Sequence, residues 1–153
     1  MIWRADQAPR RLFLASAVAY LLLGLMLLAA QLTDMWLGFN PLIFTSTSVI
    51  VQVLLVGWLS QAVIGLLYGG MVASPRAATA AWGCLNLGLV AAIVGQPLLA
   101  LTGSDLAGGL LAAGGVLQLA GGVLSLVDLA PVLLAGDQRT TKTPDHDGDD
   151  AAG

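Results

Sequence analysis

The side chains able to do chemistry in this chain are few and sit along apolar runs: Asp34, Asp105 and Asp128, the carboxamides Gln52, Gln61, Asn86, Gln96 and Gln118, the rings of Trp58 and Trp82, and Cys84. A carboxylate at mid-bilayer is costly and usually serves ion or proton movement. Asp34 and Asp105 fall at the ends of apolar runs, Asp105 as an N-cap-like start where the helix dipole favours a carboxylate. Asp128 alone lies inside a run, near its end and just before Pro131; it reads as an interfacial carboxylate reaching water or Arg76, with ion coupling as the sharper alternative. Carboxamides at this depth commonly make interhelical hydrogen bonds. Their sharper alternative is a polar pocket for a quinone head group or lipid, built from Gln52, Gln61 and Gln118 with Trp58 or Trp82 stacking nearby. The sequence offers no phosphate-binding loop, nucleophile–base pair or metal-ligand spacing, so neither catalytic nor metal-binding residues are expected. Cys84 reads as a small apolar side chain.

These groups must be positioned by four apolar stretches, 12–32, 46–72, 79–101 and 106–134, each long enough for a hydrocarbon core roughly 30 Å thick. At 58% hydrophobic and 10% charged residues, the chain lies far from soluble domains, which carry about 25% charged residues. Backbone polar groups in lipid must be satisfied internally, so the spans should be helices. The alternating short segments of a β-barrel are absent. The expected architecture is an all-α membrane protein with four transmembrane helices. The first stretch exceeds the 7–15 apolar residues of a secretory signal, which reads as a retained helix.

Orientation follows from Lys and Arg. Arg4, Arg10 and Arg11 precede the first stretch, Arg76 separates the second from the third, and Arg139 and Lys142 follow the fourth, while 33–45 and 102–105 contain neither residue. The positive-inside rule then places both termini in the cytoplasm of a multi-pass cell-membrane protein. Residues 1–10 form a cytoplasmic segment, 11–135 the transmembrane domain, and 136–153, with Asp137, Asp145, Asp147, Asp149 and Asp150, an acidic disordered tail. His146 in that tail reads as solvated. Met35, Trp36, Phe39 and Pro41 suit a connection lying in the headgroup layer.

Small residues dominate the expected packing surfaces. Ser16, Tyr20, Gly24 and Gln31 share one face of the first stretch, and Gly57, Gln61, Gly65, Tyr68 and Gly69 form a stripe on the second in the small-xxx-small manner. Gln52 precedes Gln61 by nine residues, about 180° on an α-helix, so the two should face different neighbours. Pro97 should kink the end of the third stretch. The fourth carries Gly108, Gly109, Gly114, Gly115, Gly121 and Gly122, giving two stripes, Gly108/Ala112/Gly115/Gly122 and Gly114/Gln118/Gly121/Ser125. A helix smooth on two faces can serve two partners, which points to an oligomer or a larger complex.

The segment Val51-Gln52-Val53-Leu54-Leu55-Val56-Gly57-Trp58-Leu59, followed by Gly65, Tyr68 and Pro75, resembles the second transmembrane helix of the haem-copper oxidase large subunit and its membrane relatives. The order beyond is also similar: Trp82 to Asn86 opening the third helix, a short turn, then a glycine- and leucine-rich helix with Gln118. The resemblance spans 11–129. It implies that the position of a haem-ligating histidine is occupied by Gln52, and a carboxamide is not among the usual axial ligands. Neither Met26 nor Met71 has a histidine partner that would make it one. What the resemblance implies is therefore a short relative that keeps a packing surface without the redox centre, with no haem, and with quinone or lipid as the remaining ligands.

The expected function is a non-catalytic accessory or structural subunit of a prokaryotic membrane complex, of the respiratory or terminal-oxidase type, acting through helix packing. Its partners would be other integral membrane subunits or further copies of itself, together with lipid; no nucleic-acid partner is expected. A haem- or quinone-binding electron-transfer protein and a small oligomeric transporter or channel are the alternatives.

Overall fold

A computed structural model describes residues 8–38, 46–70 and 74–140. Residues 1–7, 39–45, 71–73 and 141–153, and with them Arg4, Phe39, Pro41, Met71, Lys142, His146 and the acidic residues from Asp145 onward, lie outside the described residues. Four helices are long and apolar enough to cross a membrane. We label them α1 (Ala8–Leu37), α2 (46–70), α3 (Pro75–Thr102) and α4 (Asp105–Thr140).

Each helix stops where the backbone chemistry demands it. Gly38, at φ +66°, follows α1 and returns its N–H to Asp34 O at 2.7 Å, while Gly103, at φ +59°, does the same to Leu99 O at 2.8 Å after α3; glycine enters this left-handed region without a Cβ penalty. Pro75 opens α3, where its missing N–H is no loss. Ser104 forms the cap of α4, its Oγ accepting from Ala107 N at 3.3 Å. Asp105 is therefore the first helical residue and not the cap that the sequence suggests.

The helices overrun the apolar stretches. Residues 33–37 belong to the last turns of α1, not to a connection lying flat across the bundle, and they leave Met35 66% and Trp36 91% exposed. α3 continues through Pro97 to Thr102, and α4 reaches Thr140, beyond Gly136 where the sequence places the start of the polar tail. α2 is not uniform. It is α-wound over Ser46–Gln52, π-wound over Val53–Ser60 and α-wound again over Gln61–Gly70.

Two antiparallel hairpins result: α1 packs along α2, and α3 packs along α4, with α3 reaching both elements of the first hairpin. The core runs between them through Phe13, Tyr68, Ala78, Ala81, Leu85 and Leu129, with the Phe13 and Tyr68 rings stacked at 5.5 Å. α4 lies at the edge. It meets α2 chiefly through the Gln61–Gly70 segment and otherwise leans on α3, so most of its circumference faces what would be hydrocarbon.

Candidate functional site: a three-level polar network between the hairpins

Polar side chains meet at three depths. Nearest the turn between α3 and α4, Ser48 Oγ donates to Gln96 Oε1 at 2.6 Å, Gln96 Nε2 donates to Gln52 Oε1 at 2.8 Å, and Gln52 Nε2 donates to Gln118 Oε1 at 3.2 Å. The chain of bonds thus ties α2, α3 and α4 together. Gln31 Nε2 adds an exposed bond from α1 to Thr47 Oγ1 at 2.7 Å.

The middle level centres on Asn86. Its Oδ1 accepts from Tyr20 OH at 2.8 Å and from Gln61 Nε2 at 3.3 Å, and its Nδ2 donates to Trp82 O at 2.7 Å. Trp82 Nε1 donates to Ser16 Oγ at 2.9 Å. The inward face read on the first stretch is present in α1: Ser16 and Tyr20 join this level, and Gly24 is buried.

At the third level, where α2 ends and α3 begins, Tyr68 OH donates to Asp128 Oδ2 at 3.0 Å and Ser74 N donates to Asp128 Oδ1 at 3.2 Å. Asp128, half-buried, thus fastens α4 to the end of α2 and the start of α3. The position of Tyr68 on the buried stripe of α2 was the signal for this contact.

The π-wound segment accounts for the alignment of the two glutamines of α2. A stretch closed by i→i+5 bonds turns through a smaller angle per residue than the roughly 100° of an α-helix. Gln61 is thereby brought round toward α3, where it meets Asn86, ten residues along the same helix from the Gln96 that meets Gln52. The opposed placement expected from α-helical spacing is corrected accordingly. Ser60 Oγ donates to Leu55 O at 2.8 Å, an i→i−5 contact that fits this winding.

Among the described residues, two buried side-chain polar atoms have no hydrogen-bond partner: Gln61 Oε1 and Gln118 Nε2. Gln61 is fully buried. Trp58 turns outward at 37% exposure and does not join the carboxamides, and Trp82 is engaged by Ser16. Both side-chain heteroatoms of Gln52, the position that the oxidase resemblance aligns with a haem ligand, are bonded to other glutamines. Among the described residues no group of three His, Cys, Asp or Glu side chains could hold a metal ion. Cys84 is free and half-buried. The arrangement ties the four helices to one another through side-chain hydrogen bonds.

The glycines divide into two sets. A Cβ on Gly114 would meet Gly88 O at 2.8 Å, one on Gly121 would meet Leu85 and Ala81, one on Gly57 would meet Tyr20 and Leu89, one on Gly65 would meet Phe13 and Leu14, and one on Gly69 would meet the Arg10 side chain. A Cβ on Gly108, Gly109, Gly115 or Gly122 would meet nothing within 4 Å. Of the two stripes on α4, then, the one through Gly114 and Gly121 is occupied by α3 and the one through Gly108, Gly115 and Gly122 is open.

The chain matches no protein-family model, no curated protein sequence and no solved structure.

Proposed function

We propose that the protein is a non-catalytic packing subunit of a prokaryotic membrane assembly, and that the open stripe Gly108/Gly115/Gly122 of α4 is the face through which it joins other integral subunits or further copies of itself. The observation that carries this reading is the contrast between the two seven-residue glycine stripes of α4. In lipid no hydrophobic force drives helices together, and close backbone approach at small residues supplies much of the association. One such stripe already holds α3; the other repeats the pattern without an occupant inside the chain.

The polar network supports a structural role. Its carboxamides are committed largely to one another, as expected of side chains that fix the register of helices. A respiratory type of assembly is the form that the likeness of 51–59 to an oxidase helix favours. In our reading both termini face the cytoplasm, since all six Lys and Arg residues fall on the side of the termini.

The test is gentle detergent extraction through a C-terminal tag, with stoichiometric mass spectrometry of co-eluting chains, for the natural protein and for Gly115→Leu with Gly122→Leu. Loss of a stoichiometric partner, or of self-association, in the double variant supports the proposal. A natural protein that elutes as a lone monomer from gently extracted membranes overturns it.

A further inference from the structure

α4 carries a second feature, independent of the stripe proposed for docking. An open groove of about 720 Å³ runs beside its first turns, lined by Leu98 from α3 and by Asp105, Leu106, Gly109, Leu110 and Ala113 from α4. At 3.6 residues per turn Gly109 and Ala113 lie on the flank of α4 away from Gly115 and Gly122. The walls are apolar except at one end, where Asp105 sits at the membrane boundary. From Asp105 to Ala113 the groove follows α4 for about 12 Å, most of the depth of one leaflet of a core roughly 30 Å thick.

The carboxylate at its mouth lacks a counter-ion. Ser104 and not Asp105 caps α4, and the Asp105 side chain has no hydrogen-bond or ion-pair partner among the described residues. No Lys or Arg occurs in 33–45 or 102–105, and the described cations Arg10, Arg11, Arg76 and Arg139 lie at the opposite helix ends. A second copy would bring its cations to that opposite side as well. The counter-charge must come from outside this protein, at headgroup level, joined to something apolar that fills a groove open toward hydrocarbon.

We infer that the groove binds one acyl chain of a primary-amine phospholipid, of the phosphatidylethanolamine class, in the leaflet on the side of the α3–α4 turn, with the lipid ammonium on the Asp105 carboxylate. A primary ammonium donates charge-assisted hydrogen bonds to a carboxylate; a quaternary choline has no N–H to donate, and a glycerol headgroup leaves the lipid anionic and is repelled. Gly109 forms the floor of the groove, and a side chain there would take the place of the acyl chain without touching the protein's own atoms.

The experiment is native mass spectrometry of the detergent-purified protein titrated with phosphatidylethanolamine, phosphatidylcholine and phosphatidylglycerol of matched acyl chains. The natural protein should retain one phosphatidylethanolamine per chain, about two- to fivefold more readily than either competitor, the worth of one partly exposed ion pair. Asp105→Asn should abolish the preference while leaving lipid bound, and Gly109→Leu should expel the bound lipid whatever its headgroup. Equal retention of the three lipids by the natural protein overturns the headgroup assignment. Undiminished retention by Gly109→Leu overturns the groove, as would a groove filled by a second copy, seen as a dimer lost on Gly109→Leu. The docking stripe on the other flank is untouched by any of these outcomes.

Discussion

Gly88 and Gly114 meet backbone to backbone: a methyl group on Gly88 would lie 2.6 Å from the Gly114 carbonyl oxygen, and one on Gly114 would lie 2.8 Å from that of Gly88. Contact this close holds the second hairpin together, and it gives neighbouring glycines of α4 opposite roles. Leucine at Gly114 must push α3 away against backbone that cannot rotate aside, whereas leucine at Gly115 enters open space.

Gly114→Leu is therefore expected to destabilise the folded protein by about 3 kcal/mol or more, the upper part of the overpacking range. Gly115→Leu should change stability by less than about 0.5 kcal/mol. Denaturant titration in mild detergent, followed by circular dichroism, checks both values. Only Gly115→Leu is a clean probe of association, since weakened association in Gly114→Leu would follow from a damaged hairpin.

The two glutamines of α2 should respond unequally. Gln52 both accepts from Gln96 and donates to Gln118, so Gln52→Leu breaks two bonds and leaves their half-buried partners without replacements; a loss of about 1–3 kcal/mol is expected. Gln61→Leu gives up one long bond to Asn86, which keeps Tyr20, and also removes the unpartnered Oε1 from a fully buried position. The two effects oppose, and the net change should stay within about 1 kcal/mol. A larger loss for Gln61→Leu than for Gln52→Leu would show that this order of importance is wrong.

How far the sequence discloses this structure varies with the kind of information required. The spans are legible because about twenty apolar residues are needed to cross a bilayer, and all four appear. Their ends are less so: Met35 and Trp36 read as part of a connection, but they sit exposed on the last turns of α1 because Gly38 and not Thr33 ends the helix. The glycine stripes are legible as stripes, yet both repeat every seven residues, and spacing alone does not say which one faces α3. The winding of Val53–Ser60 is hidden from composition, since its residues would suit an α-helix equally well. That is why Gln52 and Gln61 read as opposed while the fold aligns them on α3. Asp128 stands out as the carboxylate inside an apolar run, but its partner Tyr68 lies 60 residues away, a pairing that only the packing of α4 against the end of α2 creates.

Topology provides a separate expectation. A reporter active only in the cytoplasm should be active when fused after residue 142 and inactive when inserted between α1 and α2. Replacing Arg10, Arg11 and Arg76 by Gln while adding three lysines within 39–45 should shift a measurable share of molecules to the inverted orientation, because the bias of cations near the span ends sets the orientation. An unchanged orientation would show that packing of the hairpins outweighs the charges.

The bond between Tyr68 and Asp128 admits the sharpest separation of effects. Tyr68→Phe keeps the ring stacked on Phe13 and loses only the hydroxyl, leaving Asp128 with Ser74 N–H as donor. Asp128→Ala removes the acceptor from both Tyr68 OH and Ser74 N–H and should be the costlier of the two, at about 1–3 kcal/mol. Adding Tyr68→Phe to Asp128→Ala should then cost little, since the hydroxyl no longer has its carboxylate partner and keeps only Ser125. The double-mutant cycle should return a coupling of about 0.5–2 kcal/mol. If Asp128 served an ion or proton path instead of fastening α4, Asp128→Asn, which retains an acceptor for Tyr68, would leave stability nearly intact and abolish a flux in proteoliposomes. In our reading stability is likewise kept and no flux is lost, so proteoliposome flux decides between the two roles.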